Sequence, residues 1–568
     1  MENLPNTRWG RARLALLAML LWCTVLVTCS GEARRPNVIL IGVDTLRPDH
    51  LGCYGYGRPT SPNIDRLAAG GVIFERTVSQ APWTLPSFGT VFTSLYPTQH
   101  GAGTLRTKMG ATFPTLAGIL SEAGYTTGAI VSAPVLDSAT GIARGFEDYD
   151  IRPDGTTRTA DEVTGLALKW LDERDGDPFF LFLHYWDPHD PYCPPAPYDT
   201  VFDPSYGGGL GNAVTLRMMG ITSPEQVGVT LSEETGMISD RDLEHVVALY
   251  DGEIALVDRW IGELLRGLEQ RGLKRNTLIV LHSDHGEEFL EHTGVGHGHS
   301  FYNEVIQVAM IMALPEVIPD GVRISRQARL LDLTPTVLDL LGLDAGFAFE
   351  GISLAPALNG GVPAPREKAL FPPQVAYSEA VREGPEKKAV SAYPLKLIYE
   401  LSSTDETLFD LGLDPGETEN VIAGRRDDAH PLEDLLARAL FEISDDWYVE
   451  VAGGETRHTF DIEISTEKAT WGGWICPFDM DQEGKPVAIR GMDILAGSPG
   501  SVYGWAGLKT AEPVVTGFKI HAPRGVGTEF DFRIDGKSAL ASTFVGENLA
   551  RPGKMPFNIR KGRARAHA

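Results

Sequence analysis

Cysteine is scarce in this chain, with five in 568 residues, and that scarcity excludes a fold held together by a disulfide framework. Cys23 and Cys29 fall in the N-terminal segment, which leaves Cys53, Cys193 and Cys476. At such sparse usage unpaired thiols are expected, although an oxidising compartment would allow one bridge. Long apolar runs are lacking too. The apolar, uncharged stretch 14–27 falls short of the roughly 20 residues a membrane-spanning helix needs. Basic charge is in deficit, with a formal net charge of −26 at pH 7. A chain so acidic has no means of gripping nucleic acid non-specifically, because phosphate binding needs clustered Lys and Arg.

What is present begins with an address. Arg8, Arg11 and Arg13 precede the apolar stretch, the order of an export signal. The stretch ends Leu26-Val27-Thr28-Cys29-Ser30, which resembles a bacterial lipoprotein cleavage box with Cys29 as the lipidated residue. Cleavage nearby by an ordinary signal peptidase is the alternative. Residues 1–29 are therefore expected to be a signal, and the protein to be exported to a bacterial periplasm or envelope. Any membrane contact would run only through a lipid anchor.

From 36 to 360, short apolar strands alternate with helical stretches, the pattern of an α/β sheet flanked by helices. Strands are predicted at 38–43, 126–131, 179–184 and 277–281, and helices at 63–69, 86–95, 115–123 and 243–271. A smaller α+β unit is expected over 361–446, with a strand at 395–399 and a helix at 432–443. Over 448–568 the helical period disappears. Alternating stretches such as Thr459-Phe460-Asp461-Ile462-Glu463-Ile464 and Glu529-Phe530-Asp531-Phe532-Arg533-Ile534 predict a separate β-rich domain, read as a sandwich.

Two of the predicted strands run straight into metal-ligand side chains. The first ends at Asp44 and the second at Ser283-Asp284-His285-Gly286, and open α/β sheets place their sites at such strand ends. Between them in sequence lies Thr84, in Ala81-Pro82-Trp83-Thr84-Leu85-Pro86-Ser87. Two ligand-bearing strand ends with a hydroxyl residue between them imply a metal-assisted ester hydrolase. The competing reading of each residue is structural: an aspartate after a strand often caps the next helix, and Thr84 would serve as an N-cap hydroxyl.

Together these motifs resemble the sulfatase family of the alkaline phosphatase superfamily. The further motifs, in order, are Pro59-Thr60-Ser61-Pro62-Asn63, Leu95-Tyr96-Pro97-Thr98-Gln99-His100-Gly101, Asp187-Pro188-His189-Asp190-Pro191, His297-Gly298-His299, Asp332-Leu333-Thr334-Pro335-Thr336 and Phe409-Asp410-Leu411. The resemblance implies the superfamily's mostly parallel sheet and an ester hydrolase whose metal is held by Asp44, Thr84, Asp284 and His285. It makes His189 and His297 the imidazoles on the substrate side, one protonating the departing alcohol, with either able to take a second metal. His100 matches a structural position, His184 is expected at its strand's end, and His292 and His299 are given no role.

The departures from the pattern carry the rest. Thr84 stands where sulfatases keep the cysteine that becomes formylglycine, and Phe88 stands where they keep an arginine. A threonine cannot undergo that maturation, but related branches of the superfamily use an unmodified threonine as nucleophile. Thr45 and His285 replace the Asp and Asn that many calcium-binding members offer. An imidazole with fewer hard oxygens favours zinc or manganese, with calcium or magnesium the alternatives. A threonine adduct also lacks the second hydroxyl by which formylglycine expels sulfate. A phosphate ester, attacked directly by water, is therefore expected in preference to a sulfate ester. The substrate class is a small-molecule, glycan- or lipid-derived anionic ester. The rival readings are a true sulfuric ester hydrolase without formylglycine, and a degenerate binding protein that works through its C-terminal β-rich domain.

Overall fold

The computed structural model describes residues 35–443 except 175, 177, 211–213, 215–238, 293, 364–370, 402 and 404, and beyond 443 the strands alone. The expected export segment with Cys29, and Cys476, lie outside the described residues. No described helix is long and apolar enough to cross a membrane. Cys53 and Cys193 are free thiols.

Eight strands form the central sheet: β1 (Asn37–Val43), β2 (Val72–Phe74), β3 (Thr126–Val131), β4 (Asp148–Ile151), β5 (Phe179–Tyr185), β6 (Thr277–Ser283), β7 (Met310–Ala313) and β8 (Val322–Ile324). Their spatial order is β8-β2-β7-β6-β1-β5-β3-β4. All neighbours pair in parallel except β7, which runs antiparallel to both β6 and β2. The all-apolar runs follow from burial on both faces. In β1, Val38 and Leu40 join one core while Ile39, Ile41 and Val43 join the other, and β5 and β6 alternate in the same way.

Helices α1 (Pro62–Ala69), α2 (Thr84–Thr93), α3 (Leu116–Glu122), α4 (Ala160–Asp172) and α5 (Asp240–Gln270) cover the sheet. Helix α2 buries Leu85, Phe88, Val91 and Phe92 in the first core, and α5 buries Val246, Leu249, Val257 and Ile261 in the second. Two helices start earlier than their apolar periodicity suggests. Helix α5 begins at Asp240 because Ser239 and Asp242 form a capping box, each side chain bonding the other's backbone N–H. Helix α2 begins at Thr84 because Pro86 is tolerated in a first turn, whose N–H groups are free anyway. It ends where Ser94 turns left-handed at φ 53°.

The smaller α+β unit has an antiparallel sheet, β9 (Ala376–Ser378), β10 (Lys387–Ala392), β11 (Leu395–Glu400) and β12 (Glu406–Asp410), in that order, with helix α6 (Arg426–Ile443). One face packs Val390, Leu397 and Leu408 on Leu432 and Leu436 of α6. The other packs Ala389, Ile398 and Phe409 on Phe301, Val305 and Ile306 of the catalytic unit. Beyond 443 the strands pair into a four-stranded, a five-stranded and a two-stranded sheet. Arg457–Ile462 and Gly527–Ile534, which match the two alternating stretches, lie side by side in parallel.

Candidate active site

The site forms where β1 and β6 end together. Val43 is paired with Ser283, so Asp44 and Asp284 leave the sheet side by side. Thr45, at φ 52°, turns back so that its N–H donates to the Asp284 carboxylate. Helix α2 is tied to the same corner, since Ser87 Oγ donates to the Asp284 carbonyl (2.8 Å). Thr84, the first residue of α2, is thereby brought within 3.4 Å of Asp44 Oδ2 and 3.3 Å of His285 Nε2 through its Oγ1. Trp83, not Thr84, occupies the N-cap position, so the hydroxyl is not spent on capping.

His285 Nε2 lies 3.4 Å from Asp44 Oδ1 and 3.3 Å from Asp284 Oδ2. One ligand atom from each of Asp44, Asp284 and His285 falls within 4.8 Å of the others, and all three residues are buried. His285 Nδ1 is 2.9 Å from the Gly286 carbonyl, which fixes the tautomer with the Nε2 lone pair free. Asp44 Oδ1 and Asp284 Oδ2 are buried and receive no hydrogen bond among the described residues. Burial and the Asp44 charge push the Asp284 carboxyl well above the usual range. Burial also opposes ionisation of Asp44, but His184, His189 and His285 outweigh it and hold that carboxyl below its usual range. Two buried carboxylates and an imidazole lone pair face one another, and a divalent ion fits this donor set.

The two histidines expected on the substrate side are brought to the site but are not equivalent. His189 and His297 have ring centroids 4.9 Å apart, and His297 is 4.4 Å from His285. His297 Nδ1 is 3.0 Å from Glu287 Oε1, and its buried Nε2 has no partner among the described residues. Burial, with the charges of His189 and Arg382, drives His297 well below its ordinary pKa, and burial lifts Glu287 to about 8. His297 is thus a neutral acceptor at Nε2. His189 stacks on Trp186 (3.8 Å), donates Nδ1–H to the Asp190 carbonyl (2.7 Å), and has Asp190 Oδ1 at 3.2 Å.

Some participants had no signal of their own in the sequence. His184 on β5 pairs in register with Gly42 and places Nε2 3.4 Å from Asp44 Oδ2, so it stands behind the ligand rather than idly at a strand end. Glu287 and Asp190 back the two histidines, and aligning the strands by register would have found only His184. Conversely, His292 and His299 stand apart from the site, bonded to Glu304 (2.5 Å) and Glu288 (2.9 Å) respectively. His100 is buried beneath α2, its Nε2 3.1 Å from the Pro86 carbonyl, as its structural reading requires.

Fold and site define a metal-dependent hydrolase of anionic esters. The chain belongs to the sulfatase family, whose model matches residues 36–343, and the model of the N-sulphoglucosamine sulphohydrolase C-terminal region matches residues 279–445. It is 25% identical over 426 residues to a Delta 4,5-hexuronate-2-O-sulfatase of Bacteroides thetaiotaomicron, covering 70% of this chain and 87% of that protein. It is 26% identical over 416 residues to the multifunctional alkaline phosphatase superfamily protein PehA of Trinickia caryophylli, covering 58% and 78%. In fold it matches the crystal structure of a phosphonate monoester hydrolase of Agrobacterium radiobacter, with TM-score 0.57, 24% identity, and 72% and 95% of the two chains covered.

Proposed function

We propose that the protein hydrolyses phosphate mono- or diesters with Thr84 as nucleophile. The observation that carries this reading is the Thr84 hydroxyl itself: buried, at a helix N-terminus, and 3.3–3.4 Å from His285 and Asp44. Asp44, Asp284 and His285, with Thr84, would hold the metal, and their mixed nitrogen and oxygen character favours zinc or manganese over calcium or magnesium. Such an ion supplies positive charge that lowers the hydroxyl pKa and draws electrons from the ester.

The chain's own residues perform the rest. The ionised Thr84 oxygen attacks phosphorus while the bond to the departing alcohol breaks, and His189 gives that alcohol its proton. The amides opening α2 face the oxygens of the transferred group. Water then attacks the phosphothreonine, His189 takes the water proton, and the Thr84–phosphorus bond breaks to restore the starting state. His297, neutral with Nε2 unpartnered, can take part in a hydrogen bond with substrate or water without competing for the acid's role.

A sulfuric ester hydrolase is the second reading, favoured by the likeness to a Delta 4,5-hexuronate-2-O-sulfatase. Matched aryl phosphate and aryl sulfate esters separate the two. The phosphate should turn over faster, and Thr84→Ala should lower kcat by several orders of magnitude by deleting the attacking atom. Preference for the sulfate would reject the phosphoester reading. Near-normal rates in Thr84→Ala would reject the nucleophile.

A further inference from the structure

The smaller α+β unit contributes a cation to the rim of the site. Arg382 lies on the turn between β9 and β10, and that turn is fastened on both sides of the catalytic groups. The backbone N–H groups of Arg382 and Glu383 donate to the Gly298 carbonyl (2.7 and 3.1 Å), directly after His297. Trp83, directly before Thr84, donates its indole N–H to the Ala380 carbonyl (2.7 Å). The Arg382 guanidinium carbon lies 6.0 Å from the centroid of the Trp83 ring, and Nε lies 3.3 Å from where a Cβ on Gly298 would stand. Gly298 adopts φ +87°, so both backbone and space favour glycine beside the arginine.

Two observations show that this arginine is not spent on the fold. Its Nε is buried and donates to no acceptor among the described residues. Its ion pair, to Glu383 at 3.2 Å, joins a carboxylate whose side chain is 46% exposed, and such pairs are weak and easily exchanged. The charge of Arg382 acts on His297. The adjoining loop, whose Gly103 would place a Cβ 3.9 Å from that of Ala380, presents exposed Arg106 and Lys108.

We infer that Arg382 recognises a second anionic group of the substrate, carried on the alcohol that departs from the ester. The inference rests on the ester-hydrolase reading and adds a substrate class: alcohols that themselves bear a carboxylate, sulfate or phosphate. A planar guanidinium whose ion pair is to a half-exposed carboxylate can exchange it for bidentate contact with such a group.

The test is binding, which does not depend on turnover. Metal-loaded, full-length Thr84→Ala protein is titrated calorimetrically with phenyl phosphate and with 3- and 4-carboxyphenyl phosphate. At least one carboxylated ester should bind tenfold or more tightly than the parent. Adding Arg382→Gln should collapse that ratio to about twofold, and Arg382→Lys should restore part of it. No preference with Arg382 present, or a preference that survives Arg382→Gln, overturns the inference. Failure of the nucleophile reading shows separately, as continued hydrolysis of the same esters by the Thr84→Ala protein.

Discussion

Gly42 lies beneath the ring of Phe88 so closely that a Cβ there would stand 2.7 Å from the ring carbons Cε1 and Cζ. The glycine is on β1, two residues before Asp44, and the phenylalanine is on α2, four residues after Thr84. His184 and His282 flank Gly42 on the neighbouring strands, in register, and both rings meet Phe88 edge-on with centroids at 5.1 and 5.6 Å. This close approach sets the height of α2 above the sheet, and with it the reach of Thr84 to Asp44.

Gly42→Ala should therefore be costly in two ways. The methyl cannot be accommodated without lifting Phe88, an overpacking expected to destabilise by about 1–3 kcal/mol. Lifting α2 also moves Thr84 from its partners, so activity should fall by more than the loss of folded protein explains. Denaturant unfolding paired with kcat on folded protein checks both. An unchanged midpoint would show that the helix position is not set here.

His100 makes the same helix sensitive to acid. Burial pushes its imidazole down to about 4 from an ordinary 6.5. Its Nε2–H faces the Pro86 carbonyl and its Nδ1 accepts from the Ala102 N–H, so a second ring proton would meet a donor. The unfolded chain takes up this proton below pH 6.5 and the folded chain refuses it until about 4. The stability from neutral His100 is complete above 6.5 and is lost as pH falls through that window, amounting to roughly 3 kcal/mol. His100→Gln should flatten the acid limb of stability against pH by about that amount. Superimposable limbs for the two proteins would count against it.

Legibility in the sequence followed the range of the interactions. Four of the eight central strands were readable because burial on both faces leaves continuous apolar runs, and strand 126–131 matches β3 residue for residue, whereas the short strands β2, β4, β7 and β8 were not foreseen. Helix starts were displaced because periodicity detects the first apolar residue, while Ser239 marks a start by hydrogen bonding and Thr84 opens its helix two residues ahead of Pro86. Asp44, Thr84, Asp284, His189, His285 and His297 were readable because each stands in a local motif, and they do converge. Their supports were not. His184 acts through strand register, Glu287 through a turn back onto His297, and Arg382 through packing of a separate sheet. None of these relations leaves a pattern in consecutive residues.

His184 offers the sharpest test of the metal centre. It is fully buried, neither ring nitrogen has a hydrogen-bond partner among the described residues, and Nε2 approaches Asp44 Oδ2 at 3.4 Å. Asp44 Oδ1 is turned toward His285 instead, so the carboxylate is held from behind by one imidazole and shares the cation site with another. Removing a ligand and removing its support should differ in degree. Asp44→Ala and Asp284→Ala each delete an anionic ligand and should abolish tightly bound divalent metal, leaving thermal unfolding close to that of metal-stripped wild type. His184→Phe keeps the ring volume beside Phe88 but removes the polar imidazole facing Asp44 Oδ2, and should weaken metal affinity by about 10- to 100-fold. Chelator competition with elemental analysis reads all three variants without reference to turnover. Wild-type affinity in His184→Phe would reduce that residue to packing. Retained metal in Asp44→Ala or Asp284→Ala would mean that the cation lies elsewhere.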